Sequence, residues 1–450
     1  MEGSRPVKIS SEFVNELALL ESAADLAQDI LDKDAASDQS ILFAIKIVEG
    51  FLRRRGRICY GGQAINAHLP NSMKFYDAKK NIPDYDFLTP DADADIKEIV
   101  ADFRQEGYKN ISVRMGMHEG TTKLYVDYIP VADVTAVNPD LYGILNKRSE
   151  KIGGINYIDV NTLRMMMYLE LSRPRGEVKR WSKVYERLSL LNAAKPIHNG
   201  RCAEEMGLGT QHGKYSIGSD VFDKIVDFII HNRRVLIGAS VIDYYKKQLS
   251  HTRKSIKHWL FSNKKPLIFY SPNMKADLDE IANRIGKKVH IEYIDSVGEF
   301  IPKVGLLYIG GTAKEGPRRL VAAAIQESAC HSYNTVGLYY KNEEQIMRIG
   351  SLDTLATLYL SLGLLPVIEK KLHAPLLCMA QTIVELGIRN RKRHGSKRIP
   401  FISLRCEGHQ PRMQSLLREK VERIRAAAAS NMKKTRKSMK SKRSSTRRRS

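Results

Sequence analysis

The sequence predicts an α+β (mixed α/β) fold made of two related lobes, the second a degenerate copy of the first, with helical elements around both. Three observations carry that expectation. Strand and helix patterns alternate from about residue 41 onward. A helix–strand–helix–hairpin order suits a mixed sheet covered by helices. Parts of the first half also recur, altered, in the second. With 450 residues and 43% apolar composition, the chain can fill two or three domains of ~100–200 residues each.

The elements follow in order. Phe13, Leu17, Leu20, Ala24, Ala27 and Leu31 recur at helical spacing and predict an amphipathic packing helix. "ILFAIKIVEGFLRRRG" (Ile41–Gly56) predicts a second helix leading into a short strand, "RICY", and then Gly61–Gly62. "DYDFL" (Asp84–Leu88) is extended, and "TPDADADIKEIVADFRQEG" opens with Pro and acids and closes with Gly, as a helix does. "NISVRMGMH", the turn Glu119–Gly120 and "TTKLYVDYI" form a hairpin that feeds "PVADVTAV". Helices follow, one over "VNTLRMMMYLELSRP" and one placing Val178, Trp181, Tyr185, Leu188 and Leu191 on a single face. The run Met165–Met167 is core packing.

In the second half, "ASVIDYYKKQLSHTRKSIKHWL" leads through "NKK" to the strand "PLIFYSPN", as "IVEGFLRRRG" leads to "RICYGGQ". "SLDTLATLYLSL" likewise parallels "VNTLRMMMYLEL". In that alignment "FYSPN" stands where "CYGGQ" stood, without the glycine pair or a following strand D-x-D. The expected division is an N-terminal helical segment over 1–40, domains over 41–195 and 196–425, and a disordered tail over 426–450.

Lys plus Arg number 73 against 50 Asp plus Glu, a net charge of +23 and a pI near 9.6. That balance points to a polyanionic partner. Residues 431–450 alone hold ten Lys or Arg and no acid, a composition that favours disorder. Cys59, Cys202, Cys330, Cys378 and Cys406 are odd in number and never spaced C-x-x-C, which predicts neither a disulfide framework nor a zinc site. A reducing compartment follows as the expectation. No secretory h-region opens the chain. The one long apolar stretch, Ile349–Ile368, carries Asp353, hydroxyls and a proline, so it reads as a buried core helix. No membrane association is expected.

The chemistry centres on Asp84 and Asp86. Residues i and i+2 of a strand share a face, so this D-x-D sets two carboxylates side by side. Side by side they repel unless a divalent cation neutralises them, which makes a strand-borne D-x-D suited to Mg²⁺. Other such pairs lack that context. Asp91, Asp93 and Asp95 have no calcium-loop glycine and fit a helix N-terminus, and Asp277 and Asp279 lie in a helical pattern. Gly61 and Gly62, after a strand and before a helix, let backbone N–H groups approach phosphate. Taken alone, each feature is an ordinary turn or strand end. No P-loop or dinucleotide-binding fingerprint is present.

In combination, strand, Gly-Gly, helix, strand D-x-D and a hairpin bearing a further aspartate resemble the nucleotidyltransferase fold of the polymerase-beta-like superfamily. "YGGQAIN", "PDYDF", "VDYIPVADVT", "YLELSRPRGEVKRWSKVYERL", "AIQESACHSYNTVG" and "RIGSLDTLATLYLSL" resemble, more narrowly, the poly(A) polymerase catalytic subunits of large cytoplasmic DNA viruses. The resemblance spans roughly residues 40 to 410. It implies a catalytic nucleotidyltransferase lobe and a second, non-catalytic one. It also implies template-independent addition of AMP from ATP to RNA 3′ ends, with two Mg²⁺ or Mn²⁺ ions. Asp84 and Asp86 would hold both ions and a third aspartate would complete one site. Asp133 in "VADVT" fits the family's third motif, with Asp127 as the alternative. Gly61, Gly62 and Gln63 would hold the β- and γ-phosphates. The resemblance further implies cytoplasmic action, in the host cell or a virus factory, with packaging in the virion a further option. Either a processivity subunit or a homodimer would assist. A transferase of another base specificity, or a non-catalytic RNA-binding scaffold, is the competing reading.

Arg173, Lys179, Arg180 and Lys183 are candidate phosphate or RNA contacts. "YYKKQLSHTRKSIKHWLFSNKK" (Tyr244–Lys265) interleaves seven Lys or Arg with aromatics, a pattern that suits a single strand. Inward packing of those aromatics is the competing reading. "RNRKRHGSKR" (Arg389–Arg398) reads as a charged loop.

Overall fold

The computed structural model describes residues 11–76, 84–197, 217–249, 264–286, 288–298, 300–311, 318–364, 370–395, 399–411, 414–426 and 428–429. Residues 430–450 of the basic tail and residues 250–263 of the Tyr244–Lys265 stretch lie outside the described residues. Two compact units are present, Met1–Ala136 with Glu150–Tyr157 and Val137–Ser149 with Ile158–Ser450.

The first unit runs α1 (Ser11–Ser37), α2 (Gln39–Arg55), β1 (Ile58–Tyr60), α3 (Gly61–His68), β2 (Tyr85–Thr89), α4 (Ala92–Gln105), β3 (Ile111–Met115), β4 (Thr121–Val126) and β5 (Ile129–Ala136). After α5 (Pro139–Arg148), which belongs to the second unit, come β6 (Glu150–Ile152) and β7 (Ile155–Tyr157). Asp38 caps α2 by accepting from the amides of Ser40 and Ile41, and Gly56 ends it in the left-handed conformation. α2 buries Ile41, Ala44, Ile45, Val48, Phe51 and Leu52, and Phe51 meets Phe87 of β2 at 5.8 Å between ring centroids. The strands form one sheet in the order β3-β4-β5-β2-β1-β7-β6. β2 runs parallel to β5, and β1 runs antiparallel to β2 and parallel to β7.

Two expectations are corrected here. The described apolar side chains of α1 are not packed: Leu20 is 67% and Leu31 61% exposed. And "TTKLYVDYI" is not one strand, because Asp127 and Tyr128 both take positive φ (47° and 68°) and turn the chain between β4 and β5. Such two-residue turns match the right-handed strand twist.

The second unit continues with α6 (Val160–Leu171), α7 (Trp181–Ala194), α8 (Ser219–His231), β8 (Val235–Ile237), α9 (Ala239–Leu249), β9 (Leu267–Ser271) and α10 (Met274–Ile285). β10 (Val289–Ile294), β11 (Val304–Ile309), β12 (Arg319–Gln326), β13 (His331–Tyr340), β14 (Glu343–Gly350), α11 (Leu352–Leu362), α12 (Lys370–Lys392) and β15 (Arg405–Glu407) complete it. Its sheet order is β10-β11-β12-β9-β8-β14-β13-β15.

Strand for strand this repeats the first sheet, with β15 added. β9 pairs parallel with β12 as β2 does with β5, and β8 lies antiparallel to β9 and parallel to β14 as β1 does to β2 and β7. The duplication is therefore present, but its register differs from the sequence alignment. The counterpart of "RICYGG" is "RVLIGA" (Arg234–Ala239), and "PLIFYSPN" is the counterpart of "DYDFLTPD". One interaction fixes that register. Arg57 before β1 makes two hydrogen bonds to Asp95 in α4, at 2.7 and 2.9 Å, and Arg234 before β8 makes the same pair to Asp277 in α10, at 2.7 and 2.8 Å. β8 has only three residues and sits between two helices, so its strand signal is too short to show in the sequence pattern.

Further differences are local. Val184, Leu188 and Leu191 form the buried stripe of α7, while Val178 precedes the helix and is exposed. Arg389–Lys392 close α12 instead of forming a loop, and Arg391 is buried in an ion pair with Asp353. Tyr244 and Tyr245 pack inward from α9. Cys330 and Cys406 form a disulfide, against the expectation from their scatter, because pairing of β15 with β13 sets Cys406 opposite Ser332, with Cα atoms of the two cysteines 5.4 Å apart. Met165 and Met167 are buried, and α11 is buried along its whole length, as expected. Among the described residues no helix is long and apolar enough to cross a membrane.

Candidate active site

Alternation along the strands creates the site. Leu124 and Val126 of β4 and Ala132 and Val134 of β5 point into the core, so Lys123, Tyr125 and Asp133 take the opposite face. In register across the sheet, Arg114 of β3 pairs with Lys123, Lys123 with Asp133, Asp133 with Asp86 of β2, and Asp86 with Tyr60 of β1. One row thus crosses five strands on one face. Adjacent strands lie ~4.8 Å apart, so Asp86 and Asp133 are neighbours.

Asp84 is exposed and stands one residue before β2, two residues from Asp86. Asp127 occupies the exposed β4–β5 turn, away from the row. At ~3.3 Å per residue, even Ile129 at the start of β5 stands roughly 13 Å along the strand from Asp133.

Gly61 opens α3 with φ +70°, and a Cβ there would stand 2.2 Å from Asp86 Oδ2. The glycine is required by the carboxylate as much as by the turn. Gly62 is buried and Gln63 half-buried, both in the first turn of α3. Beside the row, Tyr60 Oη lies 3.0 Å from Thr135 Oγ1, which is 3.2 Å from Thr121 Oγ1.

Lys123 Nζ forms an ion pair with Asp133. Burial pulls the Lys123 ammonium down, but the hydrogen bond and charge of Asp133, with Tyr125 and Asp86 adding to them, leave it raised. On the core side of β1, burial first, and then the charges of Asp86 and Glu49, push the Cys59 thiol up. Tyr85 points to that side too and donates to Glu49 at 2.7 Å.

The candidate cations of the first helical pair belong to the second unit. Arg180 lies 3.4 Å from Glu177 and 3.7 Å from Glu170, Lys179 and Lys183 are exposed, and Arg173 is half-buried. Sequence reasoning missed Lys123, Arg114 and Tyr60, which reach the row only through strand register, and Thr135 beside it.

Among the described residues no three His, Cys, Asp or Glu side chains form a ready-made metal cluster. The donor chemistry of Asp84, Asp86 and Asp133 nevertheless fits a hard divalent cation. Mg²⁺ characteristically takes one or two carboxylates and completes its shell with water and substrate phosphate.

Residues 46–177, which contain the whole row, match the family of the poly(A) polymerase catalytic subunit. Over that segment the resemblance read from the motifs is borne out. Two African swine fever virus proteins, from a Malawi tick isolate and the Badajoz strain, are described as candidate poly(A) polymerase catalytic subunits. Each is 25% identical to the chain, over 178 and 176 residues respectively. These matches cover 38% and 37% of the chain but only 37% and 36% of the relatives, so the chain spans little more than a third of their length. The crystal structure of the Megavirus polyadenylate synthase is similar over 96% of this chain and 85% of its own, with a TM-score of 0.68 at 15% identity. The mixed α/β fold is shared along nearly all of the described architecture.

In the second unit the same positions carry no chemistry of this kind. Ile268 takes the place of Asp86, Ala323 that of Asp133 and Pro266 that of Asp84. Gly238, the counterpart of Gly61, keeps its positive φ (+94°), and a Cβ there would lie 3.1 Å from Ile268.

Proposed function

We propose that the chain is a template-independent poly(A) polymerase that transfers AMP from ATP to the 3′ end of RNA and releases pyrophosphate. The observation that carries this reading is the in-register Asp86–Asp133 pair beside Gly61, inside the segment that matches the catalytic-subunit family. Asp84, Asp86 and Asp133 would hold two Mg²⁺ or Mn²⁺ ions, which when bound lower the pKa of the attacking hydroxyl and offset charge on the leaving phosphates. Gly61, Gly62 and Gln63 present backbone donors at the start of α3, where the helix dipole favours the β- and γ-phosphates. Gly61 leaves Asp86 room beside that turn, so the triphosphate seat and the carboxylates are held at one distance.

The catalytic lobe in this reading covers residues 41–195, a span that contains the family match over 46–177. The lobe over 196–425 is non-catalytic, having apolar residues at the three carboxylate positions. Residues 1–40 and the basic tail over 426–450 flank them. The substrates are ATP and an RNA 3′ end, with a processivity subunit or a second copy assisting, in the host cytoplasm or a virus factory, with packaging in the virion a further option.

Labelled oligo(A) incubated with protein, Mg²⁺ or Mn²⁺ and each NTP in turn tests the reading. Extension with ATP alone supports it, and extension with another NTP makes the chain a transferase of different base choice. Retained RNA binding without extension makes it a scaffold and overturns the proposal.

A further inference from the structure

The Asp86–Asp133 row does not end at the carboxylates. We infer that its outer end, formed by Arg114, Lys123 and Tyr125, seats the last nucleotides of the acceptor RNA, with Arg114 and Lys123 on backbone phosphates and Tyr125 against a base. This assignment rests on the polymerase reading above and adds to it the flank by which RNA enters.

The placement follows from register. Arg114 and Lys123 face each other across β3 and β4, and Lys123 faces Asp133, so the cations continue the row away from Gly61. At ~4.8 Å between strands they stand roughly 5 and 10 Å beyond Asp133. An in-line displacement puts the attacking hydroxyl and the leaving pyrophosphate on opposite sides of the reacting phosphorus. With the triphosphate on the Gly61–Gly62 side, the acceptor strand comes from the β4–β3 side.

The side chains there are disposed for a single strand. The Arg114 guanidinium lies over the Tyr125 ring, 4.6 Å from its centroid, and among the described residues it has no carboxylate partner. Stacked in this way, the guanidinium keeps its N–H edge available for phosphate in a fixed plane. Ser112, opposite Tyr125, is small, and β3 is the last strand of the sheet, so the ring is approachable from the edge. Aromatic faces and cations combined in this manner hold single strands without reading sequence. Lys123 is partly exposed in its pair with Asp133 (38% and 17%), so the pair is not sealed from an incoming phosphate.

The test is fluorescence anisotropy of a short labelled oligo(A), without ATP or metal, on the full chain and on Arg114→Ala, Arg114→Lys and Tyr125→Leu. Thermal melting checks that each variant is folded, and equilibrium dialysis of labelled ATP with Mg²⁺ checks the opposite flank. We expect Arg114→Ala to weaken oligo(A) binding about 3- to 10-fold and to reduce the salt slope of log K by about one, one phosphate contact's worth. Arg114→Lys recovers part of the affinity, Tyr125→Leu loses a similar factor, and ATP affinity stays at the wild-type value. Unchanged oligo(A) affinity in folded Arg114→Ala and Tyr125→Leu overturns the assignment. So does a loss of ATP affinity in place of RNA affinity. Failure of the polymerase reading is seen separately, as absence of extension by the wild-type chain. In that case a loss of oligo(A) affinity in Arg114→Ala still places RNA on this edge.

Discussion

Gly61 and Asp86 are fitted to each other: a Cβ on Gly61 would stand 2.2 Å from Oδ2 of Asp86 and 3.0 Å from its Cγ. Gly61→Ala therefore displaces the carboxylate and also strains a backbone held at φ +70°. Misplacing a catalytic group by about 1 Å can cost 10²-fold, so extension should fall by about that factor with RNA affinity retained. Gly238→Ala is the control. There the neighbour is Ile268, so the melting temperature should fall while ATP affinity stays constant. Primer extension and oligo(A) binding measured side by side check the first, and thermal melting with equilibrium dialysis of ATP checks the control.

The placement of the three aspartates makes the next prediction. Asp133 is in register with Asp86, whereas Asp127 lies in the β4–β5 turn. Asp133→Ala should cost extension about a hundredfold or more, as removal of a group that stabilises transition-state charge does. Asp127→Ala should extend primer at close to the wild-type rate. Asp84→Ala combined with Asp86→Ala should abolish extension and leave oligo(A) affinity largely intact. A double variant that still extends primer would remove these carboxylates from the mechanism.

The row was only partly legible in the sequence, for a specific reason. Gly61, Asp84, Asp86 and Asp133 stand in short motifs whose order carries information. Lys123 does not. A plain hairpin turning at Asp127–Tyr128 would set Lys123 opposite Ala132, on the wrong face. A register shift at Leu124/Tyr125 moves it opposite Asp133. A one-residue slip exchanges the faces of a strand, and nothing in the residue types announces such a bulge. The duplication was legible as an echo but misaligned, because loss of the glycine pair and the aspartates left three-residue β8 without a marker.

The ion pair shared by the two lobes makes a stability prediction. Asp95 is 2% exposed and Asp277 4%, and among the described residues each is ion-paired with one arginine, Asp277 also accepting from the Ser271 hydroxyl at 2.6 Å. Arg57→Ala or Arg234→Ala strands a buried carboxylate, at a cost of about 3–5 kcal/mol. Both should lower the denaturant midpoint sharply. Arg57→Ala should disturb extension more, since α4 and β1 frame the carboxylate row. Arg57→Leu combined with Asp95→Leu should recover much of the loss, because the penalty is the uncompensated charge.

Two titrating groups of the second unit make stability depend on pH in opposite directions. His331 stacks on Tyr270 with ring centroids 4.3 Å apart, and burial, with Arg173 adding to it, lowers its pKa from 6.5 to about 3. Between those values the unfolded chain carries the extra proton, so His331 costs stability as pH falls through that window. Glu327 is shifted the other way, from 4.5 to about 7, by burial first and then by Glu407 and Asp277, against Arg234 and Arg348. Here the folded chain carries the extra proton, so Glu327 costs stability as pH rises from 4.5 towards 7. Glu327→Gln should therefore gain on the wild type as pH increases over that range, and His331→Asn should gain as pH decreases below 6.5. Melting temperatures of the three proteins at pH 5 and pH 7 check the signs. Parallel curves for wild type and Glu327→Gln would show that this carboxyl titrates alike in both states.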